Sequence, residues 1–386
     1  MTRVRSLFWR WVALAILAAG AYATVVRFTR GLGAATNLSD QMPWGLWIGF
    51  DVLCGVGLAA GGFAITTAVH ILHLEKLRPI VRPAVLTAFL GYLLVILALI
   101  YDLGRPWNIW RATVLWNPRS VMFEVAWCVM LYTTVLAVEF SPLLFDKLGW
   151  RRASRAARAA IVPLAAAGFI LSTMHQSSLG SLYLIVPSKM HPLWYSPLLP
   201  WLFWLSAVGA GLAMVIFESG MSARAFGRAL ELDVLEKLAR AMAVLLGVFW
   251  FLRLWDLGVR GHLGAALRLW GPGSLPARML WLEALLMLVP AALGLSDRFR
   301  LHPQRLFALA STVVAGFLVH RLDVSTTALA AGSRYFPSWM EIAVTMMLVT
   351  LGVAAFRFAV LHLAVFGPAH GAQEIEEAKL APALYG

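Results

Sequence analysis

Apolar stretches of about 20 residues, the length a helix needs to cross the hydrocarbon core of a bilayer, recur ten times in this chain. They run roughly 8–28, 46–72, 83–104, 121–140, 156–186, 197–218, 237–260, 278–294, 303–321 and 339–366, with short polar connections between them. The pattern predicts an all-α membrane protein of about ten transmembrane helices, with residues 1–366 as one integral membrane domain. Residues 367–386, which carry Glu374, Glu376 and Glu377, read as a polar tail. Pro83, Pro197 and Pro337 stand near span starts, where a fixed φ and a missing N–H cost little.

Composition agrees with the pattern. Hydrophobic residues make up 61% of the 386 positions and charged residues 13%, against about 25% charged in soluble domains. The net charge of +13 is spread between spans, so it reads as loop Lys and Arg facing a lipid bilayer and not as a nucleic-acid footprint. With the N-terminus inside, 19 Lys and Arg fall on cytoplasmic loops and 11 on outer ones. That bias predicts an inner-membrane protein with both termini cytoplasmic. Arg3, Arg5 and Arg10 followed by an apolar run ending in Ala21-Tyr22-Ala23 also fit a cleavable signal peptide. A retained span is the preferred reading, because such alanine spacing is common in alanine-rich helices.

An internal echo divides the chain further. Asp102-Leu103-Gly104 closes the third span and Asp256-Leu257-Gly258 the seventh, and the next spans hold Arg119 with Glu124 and Arg278 with Glu283. An offset of four spans preserves direction, as in parallel repeats. Two four-helix bundles are expected, about 46–186 and 197–321, flanked by spans 8–28 and 339–366.

Chemistry is expected at the ionisable groups inside these spans. A charge at the centre of a membrane helix costs about 2.5–3.5 kcal/mol on insertion scales, so such groups pair, line water or handle protons. In the first bundle these are Asp51, Tyr92, Glu124 and His175, expected to converge toward the outer half. Each has a plain structural alternative: Asp51 as a cap, Glu124 clamped to Arg119 or Arg105, His175 as interhelical glue, Tyr92 as a packed aromatic. Glu218 closes the sixth span as either a solvated helix end or the inner mouth of a proton path. Arg253, Asp256, His320, Arg321 and Asp323 read as a structural salt network, with Arg253 and Asp256 as an intrahelical pair.

Several cofactors are disfavoured. Cys54 and Cys128 form no C-x-x-C spacing, so no iron–sulfur cluster or metal is expected within this chain. The glycines Gly55, Gly57, Gly61 and Gly62 sit in an apolar span with no preceding strand, which points to close helix packing and not to dinucleotide binding. His70, His175, His320 and His362 form no two-helix pair of the type that ligates b-haem.

At Pro43-Trp44-Gly45-Leu46-Trp47-Ile48-Gly49-Phe50-Asp51 the chain begins to resemble a known family. Val81-Arg82-Pro83, Asp102-Leu103-Gly104-Arg105-Pro106-Trp107-Asn108 and Ser120-Val121-Met122-Phe123-Glu124 continue the likeness. Met174-His175-Gln176-Ser177-Ser178-Leu179-Gly180-Ser181, His191-Pro192-Leu193-Trp194 and Phe336-Pro337-Ser338-Trp339 complete it. These motifs resemble the polysulfide reductase (NrfD-like) membrane family, in particular the membrane subunits of quinone-reactive NiFe-hydrogenases of the hydrogenase-2 type. Such subunits are often labelled b-type cytochromes, a label these histidines do not support.

The resemblance implies a haem-free subunit passing electrons from a ferredoxin-like iron–sulfur subunit, beside hydrogenase small and large subunits, to menaquinone or ubiquinone. It maps site residues onto Asp51, Tyr92, Glu124, His175 and Glu218, with Arg82 as a further polar candidate. On this reading Glu124 and His175 bond the quinone oxygens, with Trp44 and Gln176 beside them. Asp51 and Tyr92 relay or orient protons, and Glu218 and Arg82 lead to the inner side. A membrane anchor, a subunit of another molybdenum or iron–sulfur oxidoreductase, and a proton-coupled transporter are the alternatives.

Overall fold

The structure, a computed structural model, describes residues 2–271, 273–329 and 335–366. The expected polar tail 367–386 and the loop arginine Arg334 lie outside the described residues. The chain is a multi-pass, all-α membrane protein. Nine described helices are long and apolar enough to cross a membrane singly, and one bent pair supplies a tenth. We label the crossings α1 (Thr2–Arg30), α2 (Trp47–His70), α3 (Arg78–Asp102), α4 (Val121–Lys147) and α5 (Ile161–Leu184). The second half supplies α6 (Leu199–Phe226), α7 (Leu232–Val259), α8 (Leu275–Gly294), α9 (Pro303–Thr327) and α10 (Trp339–His362).

Several boundaries differ from expectation, each for a local reason. The fifth span begins at Ile161 and not at 156, because Arg151–Ala159 forms its own helix, bent by 54° from α5. Its four arginines favour an aqueous interface over hydrocarbon, and Asp146 anchors it by accepting from Ser154 and Arg158. Pro83 does not start a helix: α3 begins at Arg78 and runs through it. The N–H that Pro83 lacks would have bonded the Pro79 carbonyl in the first turn, where water can replace it. α4 likewise continues through Pro142 to Lys147. At α10 the start falls just after Pro337, fixed by a Ser338–Glu341 capping box that satisfies end donors reciprocally.

Two rings of four helices make the body. α2 packs on α3, α3 on α4, α4 on α5 and α5 back on α2; α6, α7, α8 and α9 close in the same order. α1 and α10 pair with each other, and α10 leans on α3. The rings join where α6 packs on both α5 and α2. A side chain at Gly61 would lie 2.5 Å from the Gly211 carbonyl oxygen, so the backbones approach as only glycine permits.

α2 and α9 are also joined at two π turns, Trp47–Val52 and Asp323–Thr327, which touch each other. Ser325 fills the space a side chain at Gly49 would need. Such single π turns inside helices often mark functional positions, and each of these carries a buried aspartate, Asp51 and Asp323.

Candidate functional site

The loops 71–77, 148–150, 227–231 and 295–302 share one face of the molecule, termed here the basic face. The residues singled out from sequence do not form one cluster. They lie in three tiers between the two faces, inside or beside the α2–α5 ring.

The tier nearest the opposite face is built on α2. Asp51 accepts a hydrogen bond from Thr345 Oγ1 of α10 at 2.6 Å, and Trp47 Nε1 donates to the Glu341 carbonyl at 3.2 Å. Trp44 is half-buried with its ring edge-on to Tyr183 at 5.4 Å. The loop before α10 braces this turn: Tyr335 donates to Glu341 Oε1 at 2.5 Å and accepts from the Leu46 amide at 2.8 Å. Burial and the Glu341 carboxyl hold the Tyr335 hydroxyl above its usual pKa, so it remains a donor.

The middle tier is an aromatic and hydroxyl cluster. His175 of α5 is 0% exposed, with its ring 5.7 Å from that of Tyr92 on α3. Tyr92 in turn meets Tyr132 of α4 at 4.7 Å. Ser172 stands beside both tyrosines, one turn before His175, without completing a well-formed hydrogen bond. Among the described residues neither nitrogen of His175 has a hydrogen-bond partner, nor do the hydroxyls of Tyr92, Tyr132 and Ser172. Each such buried orphan costs about 1–3 kcal/mol, so the cluster calls for water or a polar guest.

Gln176 has a different task. Its Nε2 donates to the Val56 carbonyl of α2 at 3.0 Å, leaving Oε1 without a donor. Val56 is five residues past Asp51, so the middle tier lies about 7.5 Å below the first at the helical rise.

The third tier opens to the basic face through a cavity of about 590 Å³ lined by Thr66, His70, Arg82, Glu139 and Glu218, among others. Glu218 is half-buried and accepts from Thr87 Oγ1 of α3 at 2.5 Å. Arg82 Nη1 donates to the Ala364 carbonyl at 3.2 Å, which ties α3 to the end of α10. Thr66 both lines this cavity and carries an unpartnered hydroxyl, and Glu139 lies near Tyr132. His175, Tyr92, Tyr132 and Ser172 themselves do not line the cavity.

Glu124 stands apart. It lies in the first turn of α4, half-buried, near Cys128. Among the described residues its side chain has no hydrogen bond or ion pair, so the clamp to Arg119 or Arg105 does not form. Nor does any direct contact join it to Asp51 or His175.

Sequence reasoning missed Tyr132, Ser172, Thr66 and Glu139. Glu139 was not singled out because the fourth span was drawn to end at 140, which set it at the boundary; α4 runs on to Lys147 and places it inside. The three hydroxyls carry no signal in one sequence, since serine, threonine and tyrosine are ordinary in membrane helices.

In the α6–α9 ring several buried charges are paired, while among the described residues Arg253 Nε, His320 Nε2, Arg321 Nε and Nη1 and Asp323 Oδ2 have no hydrogen-bond partner. Arg253 of α7 and Glu283 of α8 form an ion pair at 3.1 Å, both almost fully buried. Trp194 Nε1 donates to Glu283 Oε1 at 2.8 Å, which is what the His191-Pro192-Leu193-Trp194 segment contributes. Burial and nearby His262 keep the His191 imidazole below its usual pKa, and its Nδ1 accepts from the Leu193 amide at 3.2 Å. His320 Nδ1 lies 3.1 Å from both Arg253 Nη1 and Glu283 Oε2. The expected Arg253–Asp256 pair is not made: three residues along the helix Asp256 pairs with Arg260 at 2.7 Å instead, one position farther and nearer solvent. Arg321 donates to the Phe203 carbonyl at 2.9 Å, its guanidinium 3.7 Å from the centre of that ring.

The two rings also share a clasp. Trp127 Nε1 donates to the Ala112 carbonyl at 2.9 Å and Trp281 Nε1 to that of Ala266 at 2.8 Å, each bond spanning 15 residues. This register also matches Asp102 with Asp256. It sets Glu124 opposite Arg278, and Glu283 opposite Val129, so the two glutamates are not positional counterparts.

The family model described as "Polysulphide reductase, NrfD" matches residues 34–331. The chain belongs to the NrfD family. Among its relatives, a Nitratidesulfovibrio vulgaris protein is 37% identical, over 89% of this chain and 90% of the relative. The "Probable Ni/Fe-hydrogenase 2 b-type cytochrome subunit" of Escherichia coli K12 is 36% identical, over 89% and 88%. The "Menaquinone reductase, integral membrane subunit" of N. vulgaris is 28% identical, over 94% and 92%.

The cytochrome in one of these names raises the question of haem. Among the described residues the two histidines buried in spans, His175 and His320, lie in different rings. The ring contact of His175 is with Tyr92, and His320 is engaged by Arg253 and Glu283. Among the described residues no group of three or more His, Cys, Asp or Glu side chains is placed to hold a metal ion.

Proposed function

We propose that this NrfD chain is the haem-free, quinone-reactive subunit of a membrane oxidoreductase complex, most specifically an uptake NiFe-hydrogenase. It lies in the cytoplasmic membrane with both termini inside, and its two rings are parallel repeats. The relatives named for hydrogenase 2 and for menaquinone reductase support the reading. The observation that carries it is the unpartnered His175–Tyr92–Tyr132–Ser172 cluster, buried between Asp51 above and the Glu218 cavity below.

Reducing a quinone to a quinol takes two electrons and two protons. The electrons come from an iron–sulfur subunit docked on the outer face, together with the hydrogenase small and large subunits. The quinone, menaquinone or ubiquinone, places its head group inside the α2–α5 ring. Glu124 and His175 bond its oxygens, Trp44 packs against the ring, and the free Oε1 of Gln176 accepts from a nascent hydroxyl. Asp51 and Tyr92 orient the reacting oxygens and pass protons. Glu218, Arg82 and the water-accessible cavity replenish them from the cytoplasmic side, because a proton donor works only within hydrogen-bond reach or through one water.

The test is Glu124→Gln in the intact complex. It keeps shape and hydrogen bonding but removes proton exchange. Hydrogen-dependent quinone reduction should be abolished while assembly and dye-linked hydrogenase activity persist, since those need only the peripheral subunits. Normal quinone turnover in this variant would place the head group elsewhere. The reduced complex should also lack a b-type α-band; a stoichiometric band lost on substituting His175 would overturn the haem-free reading.

A further inference from the structure

The helix Arg151–Ala159, which joins α4 to α5, has two unlike sides. Ser154 and Ala157 are buried, and the helix packs on α4. Ser154 Oγ donates to Asp146 Oδ1 of α4 at 2.6 Å, and Arg158 pairs with the same carboxylate. Arg151, Arg152 and Arg155 are exposed. At about 100° of turn per residue these three fall within one arc of about 100°, with Ala157 opposite. Among the described residues no acid pairs with any of them, and Asp146 is already engaged by Arg158 and Ser154. Three guanidinium groups therefore point away from the protein as one uncompensated positive stripe.

Its place in the fold says what such a stripe meets. α4 ends at Lys147 and α5 begins at Ile161, so the helix stands where two spans leave the hydrocarbon, bent by 54° from α5. Leu131 of α4 and Val162 and Ile170 of α5 are exposed, as expected of span faces turned to lipid tails. Just before the helix, Leu148 and Trp150 are exposed as well. Apolar side chains and arginines side by side at the end of a span match the level of lipid head groups, where tryptophan anchors and basic helices collect. An acidic protein surface would satisfy the arginines but not Leu148 and Trp150; a phospholipid satisfies both. We propose that Arg151–Ala159 is a binding site for an anionic phospholipid, with Arg151, Arg152 and Arg155 on its phosphate and Leu148 and Trp150 against its acyl chains. Guanidinium suits that task because its fork matches phosphate oxygens in pairs. The inference does not depend on what the first ring binds.

Native mass spectrometry of the intact complex, titrated in detergent with phosphatidylglycerol or phosphatidylcholine, tests it. Phosphatidylglycerol should be retained on the complex and phosphatidylcholine should not. Replacing all three arginines, Arg151→Gln with Arg152→Gln and Arg155→Gln, should weaken phosphatidylglycerol binding by about tenfold or more, since each basic residue at an anionic surface contributes measurably. These side chains are exposed and unpaired, so the variant should assemble; Arg155→Gln alone should show part of the same loss. Lys237→Gln with Arg240→Gln and Arg298→Gln removes equal charge from other exposed positions and should leave binding as in the parent. Equal retention of the two lipids, unchanged binding in the triple arginine variant, or an equal loss in the control would each overturn the proposal. So would loss of a protein subunit from the triple variant with phosphatidylglycerol still bound, which would make the stripe a protein contact.

Discussion

The two four-helix rings treat buried polarity in opposite ways. In the α6–α9 ring charges meet charges: Arg253 with Glu283, Asp256 with Arg260, and His320 against both members of the first pair. In the α2–α5 ring the buried groups are neutral or isolated, and His175, Tyr92, Tyr132 and Ser172 lack partners. Ion pairs between neighbouring helices fix those helices in place. An uncompensated cluster is incomplete until something polar enters it. The rings close in the same order, yet one is built around ion pairs, with orphaned atoms left on Arg321 and Asp323, and the other around hydroxyls and an imidazole that pair with nothing among the described residues.

The sharpest way to break this contrast is to cut the joint. Glu283→Ala leaves the Arg253 guanidinium buried and unpaired, a loss of about 3–5 kcal/mol, and it also strands Trp194. The expected outcome is failure of the complex to accumulate, read from its yield after detergent extraction. Replacing both partners, Arg253→Met with Glu283→Met, should restore much of that yield, because apolar substitutes for a buried pair are often tolerated. If the single change accumulates normally, the network is not what holds the second ring.

In the first ring the dissociation should run the other way. His175→Phe fills a similar volume and removes two unpartnered nitrogens, so assembly and melting temperature should be unchanged or improved. Quinone turnover should fall about 100-fold or more, the usual scale for losing a positioned proton-transfer group. Loss of assembly together with turnover would mean that His175 is packing material, and the asymmetry between rings would disappear.

Much of this architecture could be read from the sequence, and the reasons for the remainder are physical. Span count and type follow from apolar length, which the bilayer dictates directly. The end of the Arg151–Ala159 helix, from residue 156 on, was merged into the fifth span because alanine lets a basic interfacial helix run on into an apolar one without a visible break. Asp51, His175 and Glu218 were legible because charge inside an apolar run is costly wherever it falls. Their division into three tiers was not, since depth depends on the π turn in α2 and on the Gln176–Val56 bond. The Arg253–Asp256 expectation failed because spacing along one helix says nothing of a stronger partner on the next. The pairing of Glu124 with Glu283 failed for a related reason: a five-residue spacing from arginine was taken for register, whereas the Trp127 and Trp281 clasps set another.

The smallest expected effect lies at the lower edge of the first ring, where the contrast between a proton route and a plain helix end is finest. Thr87 donates to Glu218 at 2.5 Å at the head of the cavity that opens to the basic face. Thr87→Val keeps the shape of the side chain and removes that donor, a hydrogen bond to a group that can be charged being worth about 1.5–3 kcal/mol. Part of this loss is recovered by water from the cavity, so assembly should be unaffected. If Glu218 supplies protons to the cluster above, its altered environment should slow quinone turnover several-fold at saturating hydrogen. The slowing should deepen in heavy water, since proton delivery would have become the slower step. A solvated helix end would show neither change. Turnover equal to the parent in both solvents would remove Glu218 from the proton route and leave the first ring supplied from the opposite face.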